Sequence, residues 1–155
     1  MAYKTVTLSY ALQYKNKLVR LVNDAKQDVK AYNTVDEGEE PELDVLVRFS
    51  EYQALQVRLC KLKTAISAAN GPVQELIYLQ AEIKDRIAFI KGFATKKRAR
   101  PSRYDDSTAI QVSTISKKNV DEWVKKFERE LEEIQATLTA HNAATTIDIW
   151  VVDED

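Results

Sequence analysis

Long rows of apolar residues spaced by three and four constrain the fold of this chain more than any other feature. The most regular row lies near the C-terminal end and steps by four and three without a break. It comprises Val120, Val124, Phe127, Leu131, Ile134 and Leu138. Such a row predicts the apolar stripe of an α-helix that packs against neighbouring helices. We therefore predict a helix over residues 120–141, and Asn119 followed by Glu122 resembles a capping box at its start.

Three further helices are predicted over residues 7–32, 41–69 and 72–92. The first carries Leu8, Ala11, Leu18, Val22, Ala25 and Val29, a row interrupted at Lys15, with Thr7 as its cap. The second opens with Pro41 in its first turn and holds a seven-residue repeat of Tyr52, Leu55, Leu59, Leu62, Ile66 and Ala69. The third presents Leu76, Ile83, Ile87 and Ile90, and Gly92 ends it.

Two short stretches alternate apolar and polar residues, which is typical of β-strands. They cover residues 108–114 and 146–152, on either side of the last helix. The two strands either pair with each other or pair with their copies in another subunit. The fold class predicted is mainly α: an antiparallel helical bundle or coiled coil of about four helices, with two short strands near the C-terminus. One helical-bundle domain over residues 1–155 is expected.

The composition supports a helical protein and excludes several classes. Only three Gly and three Pro occur in 155 residues, and the net charge is -1. A balanced charge argues against general nucleic-acid binding. Cys60 is the single cysteine, so neither an internal disulfide nor a thiolate zinc cluster is expected. Charged residues interrupt the N-terminal apolar pattern, so we predict no signal sequence, no membrane partner and a cytoplasmic location, in a host cell if the protein comes from a phage.

The order of segments resembles the septicolysin-like family of small helical proteins of bacteria and their phages. The resemblance rests on "LSYALQYKNKLVRL", "VDEGEEPELDVL", "TAISAANGP" and "IQVSTISKKNVDEWVKKFERELEEIQATLTAHN", which together span almost the whole chain. It implies the helical fold, and the family name suggests pore formation. It supplies no catalytic residues to carry over.

A basic segment is the strongest candidate for a binding site. The segment "GFATKKRARPSRYDD" contains Lys96, Lys97, Arg98, Arg100, Arg103 and Tyr104. Arginine binds phosphate through a planar pair of donors, and Tyr104 would cover an anionic ligand. We predict a basic loop at residues 96–104. The alternatives are that the loop is solvated, or that it pairs with the acidic turn at Asp36 to Glu42.

Other side chains have weaker signals. Trp150 lies on the last strand opposite the Ile147 face, so we predict that it contacts a partner subunit or a ligand, with Tyr52 and Leu59 of the second seam also at the interface. Trp123 and Cys60 are expected in the core, and His141 is expected to cap the last helix. With one histidine and one cysteine, no metal site and no cofactor are expected.

Without a catalytic motif, we predict that the protein is not an enzyme. The leading hypothesis is a homo-oligomeric binding module, of the kind a phage uses as a sponge, that sequesters a small anionic, nucleotide-like ligand through the basic loop. The alternative is a structural coiled-coil module that binds proteins and has no small-molecule ligand. A third hypothesis, membrane activity, follows from the family name.

Overall fold

The fold is mainly α and the described residues form four helices, as predicted, together with two short antiparallel strand pairs. A computed structural model of the chain describes residues 2–101 and 108–151. The elements are β1 (Ala2–Thr7), α1 (Leu8–Tyr32), α2 (Val45–Ala69), a 3₁₀ turn (Gly71–Val73), α3 (Gln74–Lys91), β2 (Arg98–Pro101), β3 (Thr108–Gln111), α4 (Lys117–Ala144) and β4 (Thr146–Val151). Two of the strands, β1 and β2, were not predicted.

The chain divides into two compact units, each with its own apolar core. Unit 1 is Met1–Pro72 with Ala140–Asp155, and unit 2 is Val73–Thr139. The boundary between them falls inside α4. The expectation of one domain over residues 1–155 stays a prediction.

In unit 1, α1 and α2 lie antiparallel beneath the ribbon of β1 and β4. The predicted stripe of α1 is confirmed, because Leu8 and Leu18 are almost fully buried. The interruption predicted at Lys15 is wrong, since the neighbouring Tyr14 is buried and continues the stripe. Thr7 caps the helix as predicted, with its hydroxyl accepting the N–H of Tyr10 at 3.2 Å.

The second helix begins later than predicted. Asp44 is its cap, and its carboxylate accepts the N–H groups of Leu46 and Val47 at 3.0 and 3.1 Å. Pro41 therefore lies in the connection and not in the first turn of the helix. The inner side of α2 carries most of the predicted seven-residue repeat, with Leu62 and Ile66 buried against α1. This seam thus contributes to the core of unit 1.

The two predicted strands do not pair with each other, because each pairs with a strand that was not predicted. Their pairing with copies in another subunit stays a prediction. β4 pairs antiparallel with β1 from Ala2↔Val151 to Thr7↔Thr146. β3 pairs with β2 from Arg98↔Gln111 to Pro101↔Thr108. In β4 the alternation is as predicted: Ile149 and Val151 are buried against the helices, whereas Trp150 is exposed.

In unit 2, α3 packs antiparallel to α4. Ile83 is fully buried in their shared core, and the core also includes the predicted α4 residues Val124 and Leu138. α4 begins three residues earlier than predicted. Its capping box consists of Ser116 and Asn119: the Asn119 side chain accepts the N–H of Ser116 at 3.1 Å, and the Ser116 hydroxyl accepts the N–H of Asn119 at 3.2 Å. The predicted box of Asn119 and Glu122 is therefore wrong.

Candidate functional site

The predicted basic loop is in part a β-hairpin of unit 2. Lys96 and Lys97 precede β2, and Arg98 and Arg100 lie within it. The hairpin is joined near its base by the Ser113 hydroxyl, which donates to the carbonyl oxygen of Thr95 at 3.4 Å. The expectation of an irregular loop is thus wrong for residues 98–101. Arg103 and Tyr104 lie outside the described residues, so Tyr104 as a lid stays a prediction.

The cations at the start of this hairpin are exposed and have no ion-pair partner among residues 2–101 and 108–151. The side chains of Lys96, Lys97 and Arg98 face solvent, and no residue within the described ranges forms an ion pair with them. Other cations of the chain have partners: Arg48 pairs with Asp28 at 2.7 Å, and Lys91 pairs with Glu128 at 3.2 Å. Pairing of the basic segment with Glu39 and Glu40 stays a prediction.

A second candidate site, apart from the basic segment, is a groove in unit 1 between α2 and β4. Its volume is about 620 Å³, within the range of ligand-binding clefts. One wall is a face of α2 formed by Ala54, Val57, Arg58, Lys61, Leu62 and Ala65. The other wall is formed by Tyr3 of β1 and by Asp148, Ile149 and Trp150 of β4. Of these residues, Trp150 was predicted from the sequence to contact a partner subunit or a ligand.

Two exposed aromatic rings lie at the ribbon side of the groove. Tyr3 and Trp150 face each other across β1 and β4, with ring centroids 5.0 Å apart and ring planes at 53°. Their side chains are 60% and 54% exposed, so the pair presents a large apolar surface to solvent. Two residues along, the Thr5 hydroxyl donates to the Asp148 carboxylate at 2.6 Å.

The groove carries charges of both signs. Arg58 and Lys61, one turn apart on α2, are cationic, and Asp148 on β4 is anionic. The same side of α2 also carries apolar residues. Val57 lies beside these charges and is 56% exposed. The groove therefore combines apolar side chains with charged side chains of both signs.

The predicted interface residues are not brought together. Trp150 lines the groove, but Tyr52 is half-buried on another side of α2, where its hydroxyl accepts from the Gln56 side chain at 2.8 Å and its ring lies 6.0 Å from that of Phe49. Leu59 packs against the core of unit 1. A role for Tyr52 and Leu59 at an interface stays a prediction.

Three further residues were assigned roles from the sequence. Cys60 is exposed and Trp123 is 38% exposed, so the expectation of core positions is wrong for both. Each lies on a helix next to a buried apolar row but is turned away from it. His141 lies in the last turn of α4, and its ring nitrogens contact the carbonyl oxygen of Ala69 and the hydroxyl of Thr145.

Within residues 2–101 and 108–151, no three His, Cys, Asp or Glu side chains lie together as a metal site would require. No helix in the described part of the chain has the length and the apolar character that crossing a membrane requires.

Comparisons with known proteins support the fold alone. No protein-family model matches the chain, and no curated protein matches it. A solved structure is similar: a functionally unknown conserved protein from Corynebacterium diphtheriae, with a TM-score of 0.77 and 16% sequence identity. The match covers 93% of this chain and 99% of that one. The architecture is therefore shared with a bacterial protein of very different sequence.

Proposed function

We propose that the protein is a non-enzymatic, homo-oligomeric binding module that sequesters a small anionic, nucleotide-like ligand. The observation that supports this function best is the exposed set of Lys96, Lys97 and Arg98 at the start of the β2–β3 hairpin, which forms no ion pair with any described residue. The proposal includes Arg100, Arg103 and Tyr104 as further ligand contacts. We also propose that the protein is related to the septicolysin-like family and is located in the cytoplasm.

Three adjacent cations repel one another, and within the described part of the chain no carboxylate offsets this repulsion. A bound phosphate relieves the repulsion and accepts several charge-assisted hydrogen bonds. Arg98 and Arg100 lie in β2, where pairing with β3 fixes the backbone, which reduces the ordering that ligand binding requires at these two residues. The net charge of -1 over the chain favours a small anion over a long polyanion.

Isothermal calorimetry against a panel of nucleotides tests the proposal. The double variant Lys97→Glu with Arg98→Glu should weaken binding by about a hundredfold, because it replaces two attractive charges with repulsive ones. The matched control is Lys26→Glu with Lys30→Glu, which makes the same change of charge on the exposed side of α1. No heat of binding at near-millimolar nucleotide, with the folded protein intact, would contradict the proposal.

A second candidate function, a protein-interaction module without a small ligand, is favoured by exposed apolar side chains. Leu46 is 82% exposed, Phe89 is 68% exposed and Tyr78 is 65% exposed. Charge reversal at Arg98 and Arg100 separates the two functions. It should abolish assembly if the basic segment docks on acidic turns, and it should spare assembly while removing ligand binding if the segment holds a phosphate.

A further inference from the structure

The strand β4 has one hydrogen-bonded edge and one edge that faces the groove. In an antiparallel pair, residues alternate between exchanging hydrogen bonds with the opposite residue and pointing their backbone groups away from it. The N–H of Leu8 donates to the carbonyl oxygen of Thr145 at 2.8 Å, and this bond fixes the alternation along the ribbon. The backbone N–H and C=O groups of Thr146, Asp148 and Trp150 therefore point away from β1.

The side-chain contacts agree with this alternation. Opposite residues that do not exchange backbone hydrogen bonds have closer side chains. Tyr3 with Trp150 and Thr5 with Asp148 are such pairs, and they form the ring contact and the hydroxyl–carboxylate bond of the ribbon. No hydrogen bond from another described segment reaches the outward backbone groups of Asp148 or Trp150. This edge is thus available to a further strand.

The helix beside this edge is apolar on two sides. The inner side of α2 contributes Leu62 and Ile66 to the core, while the outer side presents Ala54 and Val57 to the groove. A helix with apolar residues on both sides is normally covered on both sides. An unpartnered strand edge and an unpartnered helix face therefore lie next to each other on one surface of unit 1.

We propose that a second copy of this chain occupies the groove, with its β4 paired antiparallel to β4 and its α2 packed against α2. The proposal rests on the homo-oligomeric part of the proposed function and identifies the surface. A two-fold axis brings the same surface of each copy together. Asp148 on the strand wall is anionic, whereas Arg58 and Lys61 on the helix wall are cationic. In the proposed dimer each copy therefore offers charges of both signs to the same surface of its partner. The groove is therefore complementary in charge to itself.

The outward backbone groups also define the register of the new pair. Asp148 must lie opposite one of the partner's outward residues, which are Thr146, Asp148 and Trp150. Asp148 opposite Asp148 is unfavourable because like charges meet. Asp148 opposite Trp150 is selected over Asp148 opposite Thr146, because Asp148 and Trp150 both line the groove and Thr146 does not. The two-fold axis then passes through Ile149. The result is one four-stranded sheet, β1–β4–β4–β1, across the two copies.

The mass in solution tests the interface. Light scattering over a range of concentrations should give twice the mass of one chain for the wild type. Val57→Glu places a charge on the exposed helix face and should weaken dimerisation by at least about tenfold. Ser67→Glu adds the same charge on another exposed side of α2 and should leave the dimer unchanged. A monomeric wild type at near-millimolar concentration overturns the proposal, and so does a dimer that Val57→Glu leaves intact.

A second variant addresses the strand itself. Asp148→Pro removes an outward N–H and the side-chain hydrogen bond from Thr5. It spares the backbone hydrogen bonds to β1, because proline is tolerated at edge positions whose N–H faces away from the sheet. It should dissociate the dimer while circular dichroism stays that of the folded chain. If the variant unfolds, Val57→Glu decides the question, since that side chain is exposed and its replacement leaves the core of unit 1 intact.

Disulfide cross-linking tests the register. In a Cys60→Ser background, a mixture of the Asp148→Cys and Trp150→Cys variants should cross-link on oxidation. In the proposed register residues 148 and 150 form a hydrogen-bonded pair, whose Cα atoms lie about 5.5 Å apart, within disulfide range. Asp148→Cys alone should cross-link more slowly. Faster cross-linking of Asp148→Cys alone contradicts the register.

A peptide or small molecule that co-purifies with a monomer would identify another occupant and overturn the proposal. Nucleotide calorimetry on Val57→Glu separates loss of the dimer from loss of ligand binding at the hairpin.

Discussion

The imidazole of His141 connects the C-terminal ends of α2 and α4. Its Nε2 lies 3.1 Å from the carbonyl oxygen of Ala69, the last residue of α2, and its Nδ1 lies 3.2 Å from the hydroxyl of Thr145. Since a carbonyl can only accept, Nε2 carries a proton and donates to Ala69. The side chain thus satisfies a backbone carbonyl that the end of a helix leaves without an intrahelical partner.

His141→Ala should lower the free energy of unfolding by about 1–3 kcal/mol, because it leaves the partly buried Ala69 carbonyl and the Thr145 hydroxyl unsatisfied. Urea denaturation measures the change. Asn142→Ala, at the neighbouring position, should stay within about 0.5 kcal/mol of the wild type. An equal effect of the two substitutions would show that the histidine contacts carry no stability.

The start of α4 provides a second prediction. Ser116→Ala removes the hydroxyl that accepts the Asn119 N–H, and should destabilise the protein by about 0.5–2 kcal/mol. Glu122→Ala removes the residue that the sequence pattern favoured as the cap partner, and should change stability by less than about 0.5 kcal/mol. Thermal melts of the two variants compare these positions. A larger loss for Glu122→Ala would place the cap at Asn119 after all.

The core of unit 2 should respond strongly to truncation. Ile83 is fully buried between α3 and α4, so Ile83→Ala should cost about 2–5 kcal/mol through lost burial and the cavity left behind. Phe89, on the same helix, is 68% exposed, and Phe89→Ala should cost less than about 0.5 kcal/mol. Chemical denaturation of both variants measures the contrast. Similar losses would mean that Phe89 is covered in solution, as the interaction module requires.

The ion pair of Arg48 with Asp28 joins α1 to α2. A hydrogen bond to Glu51 raises the pKa of the Arg48 guanidinium; burial opposes this shift, and Asp28 adds to it. A raised pKa gives a stabilisation that is complete below the unfolded-state pKa and is lost only at strongly alkaline pH. The difference in unfolding free energy between wild type and Arg48→Ala should therefore be constant from about pH 6 to about pH 9.

A double-mutant cycle of Asp28→Ala and Arg48→Ala should give a coupling of about 1 kcal/mol or less, because both side chains are partly exposed to water. Added salt should reduce it. A coupling that grows with salt would contradict an electrostatic origin.

Sequence patterns predicted the helices well because burial in this fold follows the periods of three and four closely. The row from Val120 to Leu138 is buried where the spacing required it, and the alternation at Ile149 and Trp150 placed each side chain on the correct face. Helix ends were less accurate. Asp44 competes with Pro41 as a start signal, and the local side-chain hydrogen bonds of Asp44 decide the position.

Strand pairing and the groove could not be predicted in the same way. β1 carries polar and aromatic residues without a strong signal of its own, and its partner lies at the other end of the chain. A groove formed by Tyr3, Val57 and Trp150 depends on that pairing. The density of positive charge indicated Lys96 to Arg98 as a candidate binding segment. The pairing of β2 with β3 could not be predicted from this segment, because β3 lies outside it.

The division of the chain also has a consequence for its synthesis on the ribosome. Unit 2 is continuous, from Val73 to Thr139, whereas unit 1 needs Ala140 and the residues after it to complete the ribbon over α1 and α2. Contacts between residues so far apart in sequence form late and slowly. All of unit 2 is therefore present before β4 is made, whereas the ribbon over α1 and α2 is incomplete until β4 is made.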